Sequence, residues 1–415
     1  MFGLSPFNTA MLVAGLAAGL YMAWNIGAND VANSMSTAVG AKAITYKQAI
    51  FIASILTVAG AVLVGGHVTA TVKGGIFDPE PIDSTRLALG GLASVTAAGI
   101  WITIATWKNL PISTSHSIIG GMFGFGLVAG GPEIISWITM GQVILSWITS
   151  PIFGAILAFV IFKIIVKLIF DSEDPEKTAK KTTPFFLGAA LFIITLSLLY
   201  DTALSIKLFG RQPTLLEGLG LAAIVASVFG FIGKFIVLHY VNGDNGIGEV
   251  ENVFRNLQVL TSSFVAFSHG ANDVANAIGP VMLIVENSIG LGKAPFFLGG
   301  NYLLVMGGIG IAVGLSTWGY KVIKTVGFKV TKLTNTRGFS VDFGAATTIL
   351  VASKLGMPIS TSHTVVGAVF GVGMARGLEA VDLSVIKKIV ISWVATVPIA
   401  GVTCVSIYFV LIQFI

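Results

Sequence analysis

The chain has 415 residues, is 54% hydrophobic and only 10% charged, carries a formal net charge of +5, and has a mean hydropathy of +0.90. A soluble globular domain carries about 25% charged residues, so this chain cannot cover a water-facing surface of ordinary size. One cysteine, Cys404, excludes an intramolecular disulfide and a multi-cysteine metal site, and in so apolar a chain a pI near 9.2 does not point to nucleic acid.

In chain order, near-continuous apolar runs predict eight membrane-crossing helices near residues 8–34, 48–66, 133–165, 185–205, 218–240, 257–280, 296–318 and 386–413. No Lys or Arg precedes Lys42, so the first run lacks the basic start of a cleaved signal peptide and is expected to stay as a helix. The run 133–165 is long enough to tilt or to kink at Pro151. Segment 171–181 is the one charged linker, and the 50 glycines suit helices that pack closely in lipid.

Two polar strings interrupt this pattern, and each occurs twice. Gly27-Ala28-Asn29-Asp30-Val31-Ala32-Asn33 returns as Gly270-Ala271-Asn272-Asp273-Val274-Ala275-Asn276. Pro111-Ile112-Ser113-Thr114-Ser115-His116 returns, in the same order and at nearly the same spacing, as Pro358-Ile359-Ser360-Thr361-Ser362-His363. The chain is therefore a duplication, read as repeat 1 over residues 1–165, connecting crossings over 166–256, and repeat 2 over 257–415.

Charge gives the expected topology. With the N-terminus outside, the loops that fall in the cytoplasm hold sixteen of the 24 basic residues, as the positive-inside rule requires. Loop 67–86 contains Asp78, Glu80 and Asp83, whereas its counterpart 319–340 has five basic residues and no acid. Equivalent loops on opposite sides make the repeats inverted, as in many secondary transporters. The count closes only if each Pro-Ile-Ser-Thr-Ser-His sits at the tip of a re-entrant helical hairpin, over 87–129 and 341–375. The expected fold class is thus an all-α integral membrane protein of two inverted-topology repeats, with about eight full crossings plus two re-entrant hairpins and both termini external.

At each tip a proline fits a helix start, because its missing N–H had no partner there. Ser113, Thr114 and Ser115, and likewise Ser360, Thr361 and Ser362, then lie in a first turn where amides are free and the dipole is positive. Hydroxyls beside free amides suit a tetrahedral oxyanion, phosphate or sulfate; the plainer alternative is that they cap their own helices. On the other string, Asn29, Asp30 and Asn33 share one side of a helix, as do Asn272, Asp273 and Asn276. Intramembrane carboxylates need a counter-ion, a proton or a donor network, and carboxylate, amide and hydroxyl oxygens are hard ligands suited to sodium. Gly27 and Gly270 are placed to loosen the helix so that carbonyls join the coordination. His116 and His363 are read as holding the tips, His269 as structural because its repeat equivalent is Ile26, and Lys108 and Lys354 as flanking the tips or reaching to an interface.

These strings resemble the inorganic phosphate transporter (PiT) family, whose hallmark is the duplicated Gly-Ala-Asn-Asp-Val-Ala-Asn motif in inverted halves. The resemblance implies secondary active symport of inorganic phosphate, with arsenate as a mimic, by a homodimer in the cell membrane. Asp30, Asn33, Asp273 and Asn276 would then serve substrate and ion coupling, with the six tip hydroxyls on phosphate. The Asn-Asp wording looks like the sodium-dependent members, so sodium is the expected co-substrate, with no cofactor. Proton-coupled phosphate or metal-phosphate symport and a passive anion channel are the alternatives. A Ser–His membrane hydrolase is set aside, because adjacent Ser115 and His116 do not reach nucleophile–base geometry.

Overall fold

A computed structural model describes residues 5–201, 204–240, 247–289, 300–354 and 359–414. Pro358 and Lys293 lie outside the described residues, as do the side chains of Lys73, Lys207, Lys234 and Lys354. The described chain is helical, and its sole β contact is a bridge between Phe77 and Ile135.

Helix α1, Pro6–Ile26, is capped by the Ser5 hydroxyl and carries Pro at its start. It passes into a π-helical turn, Gly27–Val31, and on into α2, Ala32–Gly40. There follow α3 (Tyr46–Gly74), α4 (Ser84–Trp107), α5 (Thr114–Gly130), α6 (Trp137–Ile165), α7 (Pro175–Asp201), the short α8 (Leu204–Phe209) and α9 (Leu215–Tyr240). The second half contains α10 (Ile247–Ile289), α11 (Gly300–Trp318), α12 (Tyr320–Phe328), α13 (Asn335–Lys354), α14 (Thr361–Met374) and α15 (Leu383–Leu411). Pro151 lies inside α6 as expected, and Pro184, Pro280 and Pro398 sit inside α7, α10 and α15.

Among the described residues, eight helical segments are long and apolar enough to cross a membrane. Seven fall on expected crossings. The eighth is α4, which sequence reading assigned to the first hairpin. The expected crossing at 257–280 lies within the 43-residue α10, whose apolar run is broken by Ser262, His269, Asn272, Asp273 and Asn276. That helix also begins at Ile247, ahead of the expected start of repeat 2.

The polar helix α10 is tolerated because it is central. It packs against α1, α3, α4, α11 and α13, and Gln258, Ser262, His269, Asp273 and Asn276 are all buried. Such close packing needs missing side chains. A Cβ on Gly27 would fall 1.7 Å from the Ile311 carbonyl oxygen of α11, and one on Gly314 would fall 1.8 Å from that of Trp24. Gly270 stands in the same relation to α3, 2.1 Å from the Thr57 carbonyl oxygen. The motif glycines are therefore contact points between helices, and of the two only Gly27 opens a loosened turn.

Gly314→Ala is expected to destabilise the protein by about 3 kcal/mol, because backbone on both sides must move. Gly220→Ala in α9, where nothing lies within 4 Å of the new methyl, should be neutral or mildly stabilising. Thermal unfolding of the two variants in detergent compares them directly.

Candidate functional site

The first Pro-Ile-Ser-Thr-Ser-His string ends a non-helical break between α4 and α5, and the described part of the second, from Ile359, leads into α14. In the first, α4 closes at Lys108, Asn109 takes a positive φ of 59°, and α5 begins after Ser113, whose hydroxyl accepts the His116 amide at 3.1 Å. In the second, α14 begins after Ser360, which accepts the His363 amide at 3.2 Å. Ser113 and Ser360 thus act as helix caps. Thr114, Ser115, Thr361 and Ser362 project beyond the caps into the space between the halves.

These four hydroxyls meet the Asn-Asp strings there. The Thr114 hydroxyl donates to Asp30 Oδ2 at 2.6 Å, with the Thr114 amide 3.4 Å from the same oxygen. From the opposite tip, the Ser362 hydroxyl donates to Asp30 Oδ1, and that of Thr361 lies 3.4 Å from it. One carboxylate is seated on both tips. The two asparagines exchange in the same way: Asn33 donates to Ser362, and its counterpart Asn276 donates to Ser115 at 3.0 Å. Each string therefore reaches the tip of the other repeat.

Asn29 has a separate task. Its amide nitrogen donates to Thr106 Oγ1 at 2.8 Å and to the Leu110 carbonyl at 2.9 Å, and its oxygen accepts the Ile112 amide at 2.9 Å. Three bonds from one side chain hold the first break against the π-helical turn. The tips are also clamped to each other. The His116 and His363 rings meet edge-on with centroids 4.9 Å apart, and His363 stacks on Trp393 at 3.9 Å. The Trp393 indole donates to the Pro111 carbonyl at 3.0 Å, joining α15 to the first break.

Asp273 is the less satisfied carboxylate. Asn272 donates to its Oδ1 at 3.1 Å, while Oδ2 is buried and meets no donor among the described residues. It lies beside Asp30 and His269, and one ligand atom from each of the three falls within 4.8 Å of the others. His269 Nε2 is 3.6 Å from Asp30 Oδ1, and its Nδ1 is 2.9 Å from the Val265 carbonyl oxygen. That carbonyl fixes a proton on Nδ1, so Nε2 faces the carboxylates either with a second proton or with a lone pair, and a lone pair there takes a shared cation or a proton held by a carboxyl group.

Sequence reasoning undervalued His269, because comparing the repeats sets it against Ile26 and removes it from the duplicated set. Its position four residues before Asp273, on the same side of a helix, was the available signal. Asp342 was missed altogether. It is buried on α13 and accepts from Thr37 at 2.9 Å and from Ser262 at 2.5 Å, tying α2, α10 and α13 together. Lys108 is exposed at the end of α4. Among the described residues no Lys or Arg side chain bonds to the tips or to the two strings.

Comparison with known proteins agrees with this geometry. A model described as the phosphate transporter family matches residues 26–404. A putative phosphate permease of Pyrococcus furiosus is 48% identical over 404 residues, 96% of each chain. The chloroplastic inorganic phosphate transporter 2-1 of Arabidopsis thaliana is 40% identical across 98% of this chain and 73% of its own length. A solved structure described as the sodium-dependent phosphate transporter superposes with a TM-score of 0.87 at 45% identity, covering 98% of this chain and 100% of that one.

Asn29→Ala removes three buried bonds and leaves the Leu110 carbonyl and the Ile112 amide short of a partner. It should cost about 3 kcal/mol, seen as a lower thermal midpoint in detergent. An unchanged midpoint would mean that the first break is held by its own turn.

Proposed function

This chain belongs to the phosphate transporter family, and we propose that it is a sodium-coupled symporter of inorganic phosphate working by alternating access. The observation that carries the reading is the convergence of hydroxyls from both tips on one buried carboxylate, with a second carboxylate alongside and, among the described residues, no Lys or Arg bonded to them. Thr114, Ser115, Thr361 and Ser362, with free amides of the first turns of α5 and α14, are the phosphate donors, and Ser113 and Ser360 hold those turns in shape. Asp30, Asp273, Asn33, Asn272 and Asn276 form the sodium-coupling set, and Asn29, expected among them, holds the first break instead.

Electrostatics supplies the coupling. Two full charges within 4.8 Å of each other repel by at least about 3 kcal/mol at an effective dielectric constant of about 20, and a phosphate dianion beside them adds to that repulsion. Cation entry removes it. It also changes where the hydroxyls point: without a cation, Thr114 and Ser362 donate to Asp30, and a cation that draws on the Asp30 oxygens frees those donors for an incoming anion. The passive channel is disfavoured on the same ground, since an anion alone would meet two carboxylates. Alternation would come from the two breaks, read as inverted re-entrant hairpins, opening in turn to opposite sides. The same reading makes the protein a homodimer of the cell membrane with both termini outside, and arsenate a competing substrate.

The His269 contact favours one second reading, proton coupling. A proton carried on the cluster of Asp30, His269 and Asp273 would neutralise it as a sodium ion does, with the phosphate site unchanged.

Phosphate uptake into proteoliposomes separates the two. Concentrative uptake is expected under an inward sodium gradient and not under an inward proton gradient; the reverse result assigns coupling to the protonated cluster. Asp30→Asn and Asp273→Asn should each abolish coupled uptake, a loss of at least about 100-fold, with the protein still inserted and monodisperse. Normal sodium-driven uptake in both would remove the carboxylates from the mechanism.

A further inference from the structure

Away from the transport site, α7 and α9 pack side by side with a cavity of about 680 Å³ between them. Its walls include Phe185, Gly188 and Phe192 of α7, Ala223 and Ser227 of α9, and Phe343 of α13. The wall is apolar throughout, for its one hydroxyl, on Ser227, already donates to the Ala223 carbonyl at 2.7 Å. Gly188 and Gly230 are buried in its wall, where a side chain would narrow the slot between the helices. Phe185 and Ser227 are exposed, so the slot opens outward from two helices that are each long and apolar enough to cross a membrane.

The face of α7 that forms this slot continues into charge. Lys177, Lys181, Phe185, Gly188 and Phe192 follow one another at spacings of three and four and so lie on one stripe of the helix. Lys180, off that stripe, is paired with Glu176 at 2.6 Å. Asp174 is occupied in capping the Lys177 amide at 3.0 Å. The side chains of Lys177 and Lys181 are exposed and take part in no ion pair among the described residues. From Lys181 to Phe192 the helix rises about 16 Å, close to the depth of one leaflet of a hydrocarbon core about 30 Å thick. The lysines stand on the side where the basic loops collect, the side of the anionic leaflet.

We infer that the slot between α7 and α9 is a site for an anionic phospholipid, with an acyl chain lying between the helices and the headgroup phosphate held by Lys177 and Lys181. A dry apolar slot one leaflet deep takes a flexible chain and rejects a hydrated ion, and two unpaired lysines at its mouth select a negative headgroup. A second copy of the chain is a poorer occupant. A twofold axis along the membrane normal brings residues of equal depth together, so the lysines of the two copies would face each other. Because Phe343 is part of the wall, the lipid packs on α13, the helix that carries Asp342.

Native mass spectrometry of the full-length protein, delipidated in detergent and then offered equal amounts of phosphatidylglycerol and phosphatidylcholine of matched chains, tests this. Phosphatidylglycerol adducts should exceed phosphatidylcholine adducts by roughly tenfold, as two lysine contacts allow. Lys177→Gln with Lys181→Gln, both at exposed positions, should bring that ratio close to one while leaving some of each lipid bound. Ser227→Phe, which fills the slot from its open side, should reduce both lipids. A ratio unchanged in the double lysine variant overturns the proposal, as does displacement of phosphatidylglycerol by free inorganic phosphate. A shift from dimer to monomer in Ser227→Phe with unaltered lipid adducts also overturns it, by making the slot an interface between copies.

Discussion

A carboxylate taken out of water must be given donors, a proton or a cation, and the centre of this molecule is arranged around that requirement at Asp30. Its two oxygens gather hydroxyls from Thr114 on one side and from Thr361 and Ser362 on the other. Those residues lie at the starts of α5 and α14, so satisfying a single side chain draws together two breaks far apart in sequence. The remaining central contacts follow from this one. Asn33 and Asn276 bridge to the last hydroxyl of the opposite tip, and the His116 and His363 rings close on each other behind them. The π-helical turn over Gly27–Val31 loosens the helix where Asp30 must face both tips, and Gly27 lets that turn sit against the backbone of α11. A loosened turn of this kind is common at functional sites.

Much of this was legible from the residues alone, and the reason is duplication. A polar string in apolar sequence is expensive, and a repeated one is too specific to be accidental, so the Asn-Asp strings and the Ser-Thr-Ser tips stood out with no structure in hand. Hydropathy located seven crossings because lipid-facing helices must be apolar along their whole length. The crossing expected at 257–280 lies in the central helix, and a hydropathy window alone does not recover it. Length and composition pass over α10, since its polar residues are shielded by α1, α3, α4, α11 and α13 rather than by lipid, and they count α4 instead. Burial by protein is invisible to a hydropathy window.

The duplication also concealed things. It equated Asp30 with Asp273, yet the first is seated on both tips and the second keeps one oxygen without a donor. It discounted His269, whose counterpart is an isoleucine, and it could not point to Asp342, which stands in only one half. A duplicated frame diverges first at positions where one copy of a group is enough. His269 and Asp342 are such positions: each is a single ionisable side chain inserted among the paired ones. Ser113 and Ser360 illustrate a different limit. Sequence placed them with the oxyanion donors, and the structure uses their hydroxyls as helix caps, because at an N-terminus the capping residue and the first-turn donor are one residue apart and of the same type.

Among the described residues no Lys or Arg contacts the tips, which has a consequence for coupling under the proposed symport. A guanidinium or ammonium at this depth would attract phosphate permanently and pair with Asp30 in its absence, so the anion would bind with or without a cation. Neutral hydroxyls and first-turn amides give direction and hydrogen bonds but little net charge. The attraction that remains must come from ions that arrive and leave with the substrate. The tips then favour phosphate only while Asp30 and Asp273 are neutralised, and the Asp30 carboxylate competes for the same hydroxyls when they are not. In that arrangement the coupling ion changes the affinity for phosphate by changing the charge beside it and by releasing its donors. Linkage makes the effect mutual, so bound phosphate strengthens the hold on the cation by the same factor.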